Sequence, residues 1–154
     1  MDEVITLILE LLSQDIDILQ IFSDCGQFGS PNITSAADQS EVVYPWIFVR
    51  NPAQSQVSSM DHLSNVWDGE ILVEIRVKRS DNCKQPEAIR WALFNRVMAL
   101  LYGDGTTAPV VGSRTNRWAI TVFGNVNPTG DIPDPDPLMR RHKITSRVMI
   151  LRQG

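Results

Sequence analysis

The stretch 67–102, WDGEILVEIRVKRSDNCKQPEAIRWALFNRVMALLY, changes its hydrophobic period halfway along, and no other feature restricts the fold so much. Ile71, Val73, Ile75 and Val77 alternate with Leu72, Glu74, Arg76 and Lys78, the period of a half-buried β-strand. Burying each β-branched residue is worth roughly 1.5–3 kcal/mol, so a one-residue slip would expose that set and drive Glu74, Arg76 and Lys78 inward. The register is therefore tightly specified. After a polar break at 80–85, Ile89, Leu93, Val97, Leu100 and Leu101 recur at helical spacing. Pro86 suits a first helical turn, where its missing N–H costs nothing, and Gly103 suits a C-terminal cap. A strand followed at once by a helix of matching apolar width forms a layer pair onto which the other elements must pack.

Those other elements are fewer than the length allows. Residues 2–22 predict one amphipathic helix: Val4, Leu7, Ile8, Leu11, Leu12, Asp15, Ile18 and Leu19 keep the helical period, and Asp2 and Glu3 sit where the helix dipole favours acids. Ile5, Leu9, Ile16 and Ile21 lie off that stripe and widen it, so the helix either lies on its own sheet or also touches a neighbouring subunit. Residues 23–41 are small, polar and turn-forming, and predict a loop. In VVYPWIFVR, Pro45 cannot donate to a ladder, which places a strand at 46–50. Residues 51–65 and 104–116 again predict loops, and Trp118, Ile120 and Val122 alternate with Ala119, Thr121 and Phe123 in a third strand. The segment GNVNPTGDIPDPDP cannot continue a sheet or a helix and reads as an irregular arm. A fourth strand spans 140–152, with Ile144, Ser146, Val148 and Ile150 set against Lys143, Thr145, Arg147 and Met149. The expected fold is α+β: a four-stranded, mostly antiparallel sheet with two main helices packed on one face, in a single domain 1–154 with long loops at 23–41, 51–65 and 124–139.

A chain of 154 residues buries roughly 70% of its unfolded surface, so neither disulfides nor metals are needed for a core. Cys25 and Cys83 fit neither a disulfide framework nor a tetrahedral metal site, and read as two free thiols in a reducing compartment. The acidic start, with Glu10, Asp15 and Asp17 soon after, lacks the pattern of a signal peptide or membrane span, and a soluble intracellular protein is expected. A formal net charge of -4 argues against a dedicated nucleic-acid binder. Catalytic arrangements fail on residue supply. His62 and His142 belong to no metal-binding or nucleophile motif, and Asp61 beside His62 has no companion ligand nearby. Gly103-Asp104-Gly105 is not followed by the residues of a phosphate-binding loop. Asp131, Asp134 and Asp136 are the type of ligand a hard cation takes, but the prolines between them extend the backbone and spread the carboxylates apart, which favours a solvated acidic loop. No catalytic, cofactor or metal site is expected.

The order of parts resembles the tail terminator, or tail completion, proteins of long-tailed bacteriophages. The resemblance rests on the N-terminal amphipathic helix, the strand near the Pro45-Trp46 pair, the WDGEILVEIRVKRSD strand, the helix 87–102 and a closing strand with a basic start. It implies a structural virion protein, assembled in the host cytoplasm and resident at the tail or neck. Such subunits close into a ring, typically a hexamer, that caps the tail tube, stops its polymerisation and offers a joining surface to the neck proteins of the head. DNA would pass through the lumen without sequence-specific binding, and no membrane is involved. A neck or head-completion protein would use the same features. The rival from another class is a metal-dependent hydrolase or nuclease, with Asp61, His62 and the acidic arm as its reagents.

The basic residues offer a surface for such assembly. Arg76, Lys78 and Arg79 leave the central strand, and Arg140, Arg141, Lys143, Arg147 and Arg152 load the last one. A head-to-tail ring needs two unlike surfaces on each subunit. The expected pair is the arm, with Asp131, Ile132, Asp134, Asp136, Leu138 and Met139, and the basic face, with Arg76, Lys78, Arg141 and Arg147. The apolar arm residues would carry affinity and the charges would set orientation. The same arm also reads as a loop at the rim, and the same face as solvated or as a phosphate contact.

Overall fold

The computed structural model describes residues 2–35, 41–50, 66–102, 110–112, 117–129 and 136–153. In chain order these form α1 (Asp2–Ser13), α2 (Ile16–Asp24), β1 (Ile33–Thr34), β2 (Trp46–Arg50), β3 (Val66–Lys78), α3 (Pro86–Tyr102), β4 (Val110–Gly112), β5 (Arg117–Thr129) and β6 (Met139–Gln153). The strands form one sheet in the order β1-β2-β3-β6-β5-β4. Only β1 and β2 run parallel, and the other pairings are antiparallel. The α+β class and the mostly antiparallel sheet stand as expected. All four expected strands are present, and two short strands, β1 and β4, arise inside segments read as loops.

The alternating strand is the centre of this sheet. β3 pairs with β2 on one side and with β6 on the other, so that Val73 lies between Val49 and Ile144 in register. Ile71, Val73, Ile75 and Val77 are fully buried, and they meet Ile5, Ile8 and Leu12 of α1, Ile18 and Phe22 of α2, and Leu93, Val97 and Leu101 of α3. The helices thus cover the predicted face. Their apolar stripes and the β-branched face of β3 form one cluster, the arrangement the two hydrophobic periods require.

Three expectations need correction. The helix foreseen over 2–22 is two helices, because Asp15 leaves the helical conformation (φ -74°, ψ 122°) and caps α2, accepting a hydrogen bond from the Ile18 N–H at 3.0 Å. Asp15 sits on the apolar stripe, and a carboxylate there is better served by a helix N-terminus and a cation than by a core. It receives the cation as well: Arg96 of α3 donates Nε and Nη2 to its two oxygens at 2.8 and 2.6 Å. The loop foreseen over 23–41 is interrupted by β1, where the Asn32 carbonyl accepts from the Ile47 N–H at 3.0 Å. Buried Gln27 ties the same segment to β2, donating to the Pro45 carbonyl at 2.8 Å and accepting from the Asn32 N–H at 2.7 Å.

The third correction concerns the arm. Its first residues do not leave the sheet: β5 runs on to Thr129, with Pro128 opposite Ile144. A register shift between Phe123 and Asn127 absorbs the Gly-containing step. β4 pairs only with the beginning of β5, so Pro128 borders β6 on one side and meets no described strand on the other, the edge position in which proline is tolerated.

Candidate interaction surfaces

The face of the sheet turned away from the helices is polar as expected, but its centre is buried rather than solvated. Leu72 and Glu74 are buried, as are Trp46 and Phe48 beside them on β2. Register explains the grouping: Glu74 lies between Phe48 and Lys143, and Arg76 lies between Trp46 and Arg141. Two guanidinium groups directly opposite on neighbouring strands would repel. The Glu74 carboxylate, with its side chain 1% exposed, resolves this by accepting from Arg76 Nε at 2.6 Å and Arg141 Nη2 at 3.0 Å, with Lys143 Nζ 4.0 Å away. The Arg76 guanidinium also lies 5.2 Å from the centroids of both the Trp46 and Phe48 rings, which adds cation–π attraction to the charge pairing.

The proposed interface residues divide accordingly. Arg76 and Arg141 converge on Glu74 of their own chain. Lys78 reaches Asp136 at 3.1 Å, and the Asp136 carboxylate also accepts from the Leu138 N–H at 2.9 Å. That backbone bond, with Lys78 beside it, holds the Asp136 carboxyl below its ordinary pKa. The Arg79 N–H donates to the Leu138 carbonyl at 2.9 Å. The foot of the arm is therefore fastened to the end of β3, with Met139 half-buried and opposite Lys78. Arg147 pairs in register with Glu70 and Phe123. Asp131, Ile132 and Asp134 lie outside the described residues, as do Asp61, His62 and Gly103-Asp104-Gly105.

Beside that foot, a groove of about 570 Å³ opens at the start of α3. Trp91 and Leu138, 44% and 42% exposed, are its large apolar side chains, and Arg79, Lys84 and Arg140 are its cations. Glu87 organises one wall: its carboxylate accepts from Trp91 Nε1 at 3.1 Å, pairs with Arg140 Nε at 3.2 Å and contacts Arg90. Arg90, buried though charged, runs under α3 to the Arg141 carbonyl. His142 is likewise buried, stacked on Phe94 at 4.1 Å.

A second groove, about 550 Å³, lies along α2 and the turn after it, lined by Ile16, Leu19 and Gln20 among others. Ile16 is 80% exposed, and Phe28 in that turn is 77% exposed. Unlike the first, its lining carries no charged side chain, and it belongs to the acidic N-terminal part of the chain. No lysine or arginine precedes Arg50, whereas eight carboxylates do. That charge asymmetry was legible in the sequence, whereas the exposure of Ile16, Phe28 and Trp91 was not. Among the described residues no group of three or more His, Cys, Asp or Glu side chains is placed to hold a metal ion, and no helix is long and apolar enough to cross a membrane.

Fold and surfaces together define an α+β protein with three helices on one side of an antiparallel-dominated sheet and two unlike grooves. Among solved structures, it is similar to a chain of the virion of a native gene transfer agent (GTA) particle, with a TM-score of 0.55 and 10% sequence identity over 96% of this chain and 93% of that one. At that identity the likeness is one of fold. No protein-family model matches the chain, and no curated protein matches its sequence.

Proposed function

We propose that this protein is a structural virion protein that acts by assembly, as a tail terminator whose subunits close into a ring on the tail tube, halt its growth and present a joining surface to the neck. The observation that carries this reading is the correspondence of fold, over nearly the whole of both chains, with a virion chain. The two grooves support the head-to-tail geometry a closed ring needs, since one is apolar with a cationic rim and the other apolar in an acidic region of the chain. In this reading Leu138 and Trp91 are the apolar centre of one contact. Asp131, Ile132 and Asp134, which precede the fastened foot at Asp136 and Met139, extend that contact toward Arg147 and the outer edges of Arg76, Lys78 and Arg141 on the next subunit.

Negative-stain imaging of particles assembled without this protein tests the assignment. Tails of uncontrolled length are the expected result. Tails of normal length on heads that leak DNA would overturn termination in favour of a neck or head-completion role.

A further inference from the structure

The chain's two cysteines, far apart in sequence and read there as separate free thiols, are brought together by the fold. Cys25 ends α2, with its N–H donating to the carbonyls of Ile21 and Phe22 at 3.2 and 3.1 Å. Cys83 closes the turn after β3 and exchanges backbone hydrogen bonds with Ser80 in both directions, each 3.1 Å. Both backbones are thus held in place. Both side chains are buried in the same core cluster, 4% and 1% exposed, and are near enough for each to perturb the other's thiol. Their neighbours show how closely the two turns are pressed. Gly26 has φ +90°, and a Cβ placed on it would lie 3.0 Å from Asn82 Nδ2. Glycine there supplies both the left-handed backbone and the room for the approach.

We propose that Cys25 and Cys83 are a disulfide-forming redox site, which on oxidation links the end of α2 covalently to the turn between β3 and α3. The oxidant is a small-molecule disulfide. The Cys83 thiolate attacks one sulfur of that disulfide, releasing one small thiol and leaving a mixed disulfide on Cys83. The Cys25 thiolate then attacks the Cys83 sulfur, the second small thiol departs, and the protons of the two protein thiols pass through solvent to the two thiolates released. Two protein thiols become one disulfide while one small disulfide becomes two thiols. Burial raises the Cys83 thiol and the neighbouring Cys25 partly offsets that rise, which makes Cys83 the first of the two to attack in this proposal. Burial, followed by the neighbouring Cys83, pushes the Cys25 thiol up to about 12. The exchange is therefore slow in the closed protein and proceeds when the two turns open locally, after which the bond is shielded from reductants.

The test uses the full chain and is independent of the virion reading. Protein is equilibrated for days in graded ratios of oxidised to reduced glutathione, once native and once unfolded in guanidinium, then acid-quenched and analysed by intact mass and non-reducing peptide mapping. A native species two hydrogens lighter, free of glutathione and with the Cys25 and Cys83 peptides linked, is expected. Its formation constant should exceed that of the unfolded chain by about 10²–10³-fold, because the fold has already closed the loop. The oxidised protein should melt on the order of 10 °C higher than the reduced one. Cys25→Ala and Cys83→Ala should each abolish the mass loss. Persistence of two thiols at every ratio, glutathione adducts without linkage, or an equal constant in the native and unfolded chains would overturn the proposal, and the wild-type comparison decides it even if a variant fails to fold.

Discussion

The two faces of β3 are buried by different physics. On the helix side, apolar residues from three helices and three strands pack into one cluster that, among the described residues, holds no charged side chain. On the other side, one carboxylate is sunk among Arg76, Arg141 and Lys143, and a guanidinium lies against Trp46 and Phe48. The first face is non-directional and tolerates volume-conserving change. The second is directional. Removing its anion leaves cations facing each other across strands, whereas removing a methylene from the first leaves only a small void.

The sharpest way to break this comparison is to delete one member from each face. Glu74→Ala is expected to cost about 3–5 kcal/mol, as for other buried charge clusters that lose one partner, and Ile75→Val on the same strand about 0.5–1.5 kcal/mol. Urea unfolding midpoints at constant slope measure both. If the Glu74 variant proved the more stable of the two, the polar face would be mere solvated decoration.

A middle-sized effect separates a cap from a core. Asp15→Ala removes both the α2 cap and the paired oxygens of Arg96, and should cost about 1–2 kcal/mol. Asp15→Asn keeps the cap and loses the charge. The Arg96 hydrogen bonds hold the Asp15 carboxyl below the ordinary carboxylate range, against the opposing effect of burial. A group depressed in this way contributes stability that is fully present above the unfolded-state value and is lost as pH falls through the folded one. Wild-type stability should therefore drop below about pH 4, and the Asn variant should lose less over that acid interval. Identical acid profiles for the two proteins would remove Asp15 from the account.

The smallest expected effect lies at the arm's foot. Lys78 and Asp136 have side chains 40% and 34% exposed, so Lys78→Ala should cost about 0–1 kcal/mol and the difference should shrink with added salt. A larger, salt-independent loss in thermal unfolding would mean that the foot is part of the core rather than a surface attachment.

Hydrophobic period located β3 and α3 and placed the four β-branched residues of β3 on one face, and β-forming residues after Pro45 located β2, because each of those facts depends on side chains within one short segment. The α+β class followed from the order of those segments. Period could not report what covers the alternate residues: Glu74 reads as solvent-facing until β6 supplies Arg141 and Lys143 and β2 supplies its two rings. Asp15 on an apolar stripe was a visible irregularity, yet only Arg96, far along the chain, made it a helix break. Pro128 argued against a strand, and a sheet edge that meets no further strand among the described residues allowed one. The cysteines likewise carried no local sign that the end of α2 would meet the turn before α3. Each of these outcomes is a contact between residues distant in sequence, whose energy exists only once the elements are docked, and so it was decided by the tertiary structure.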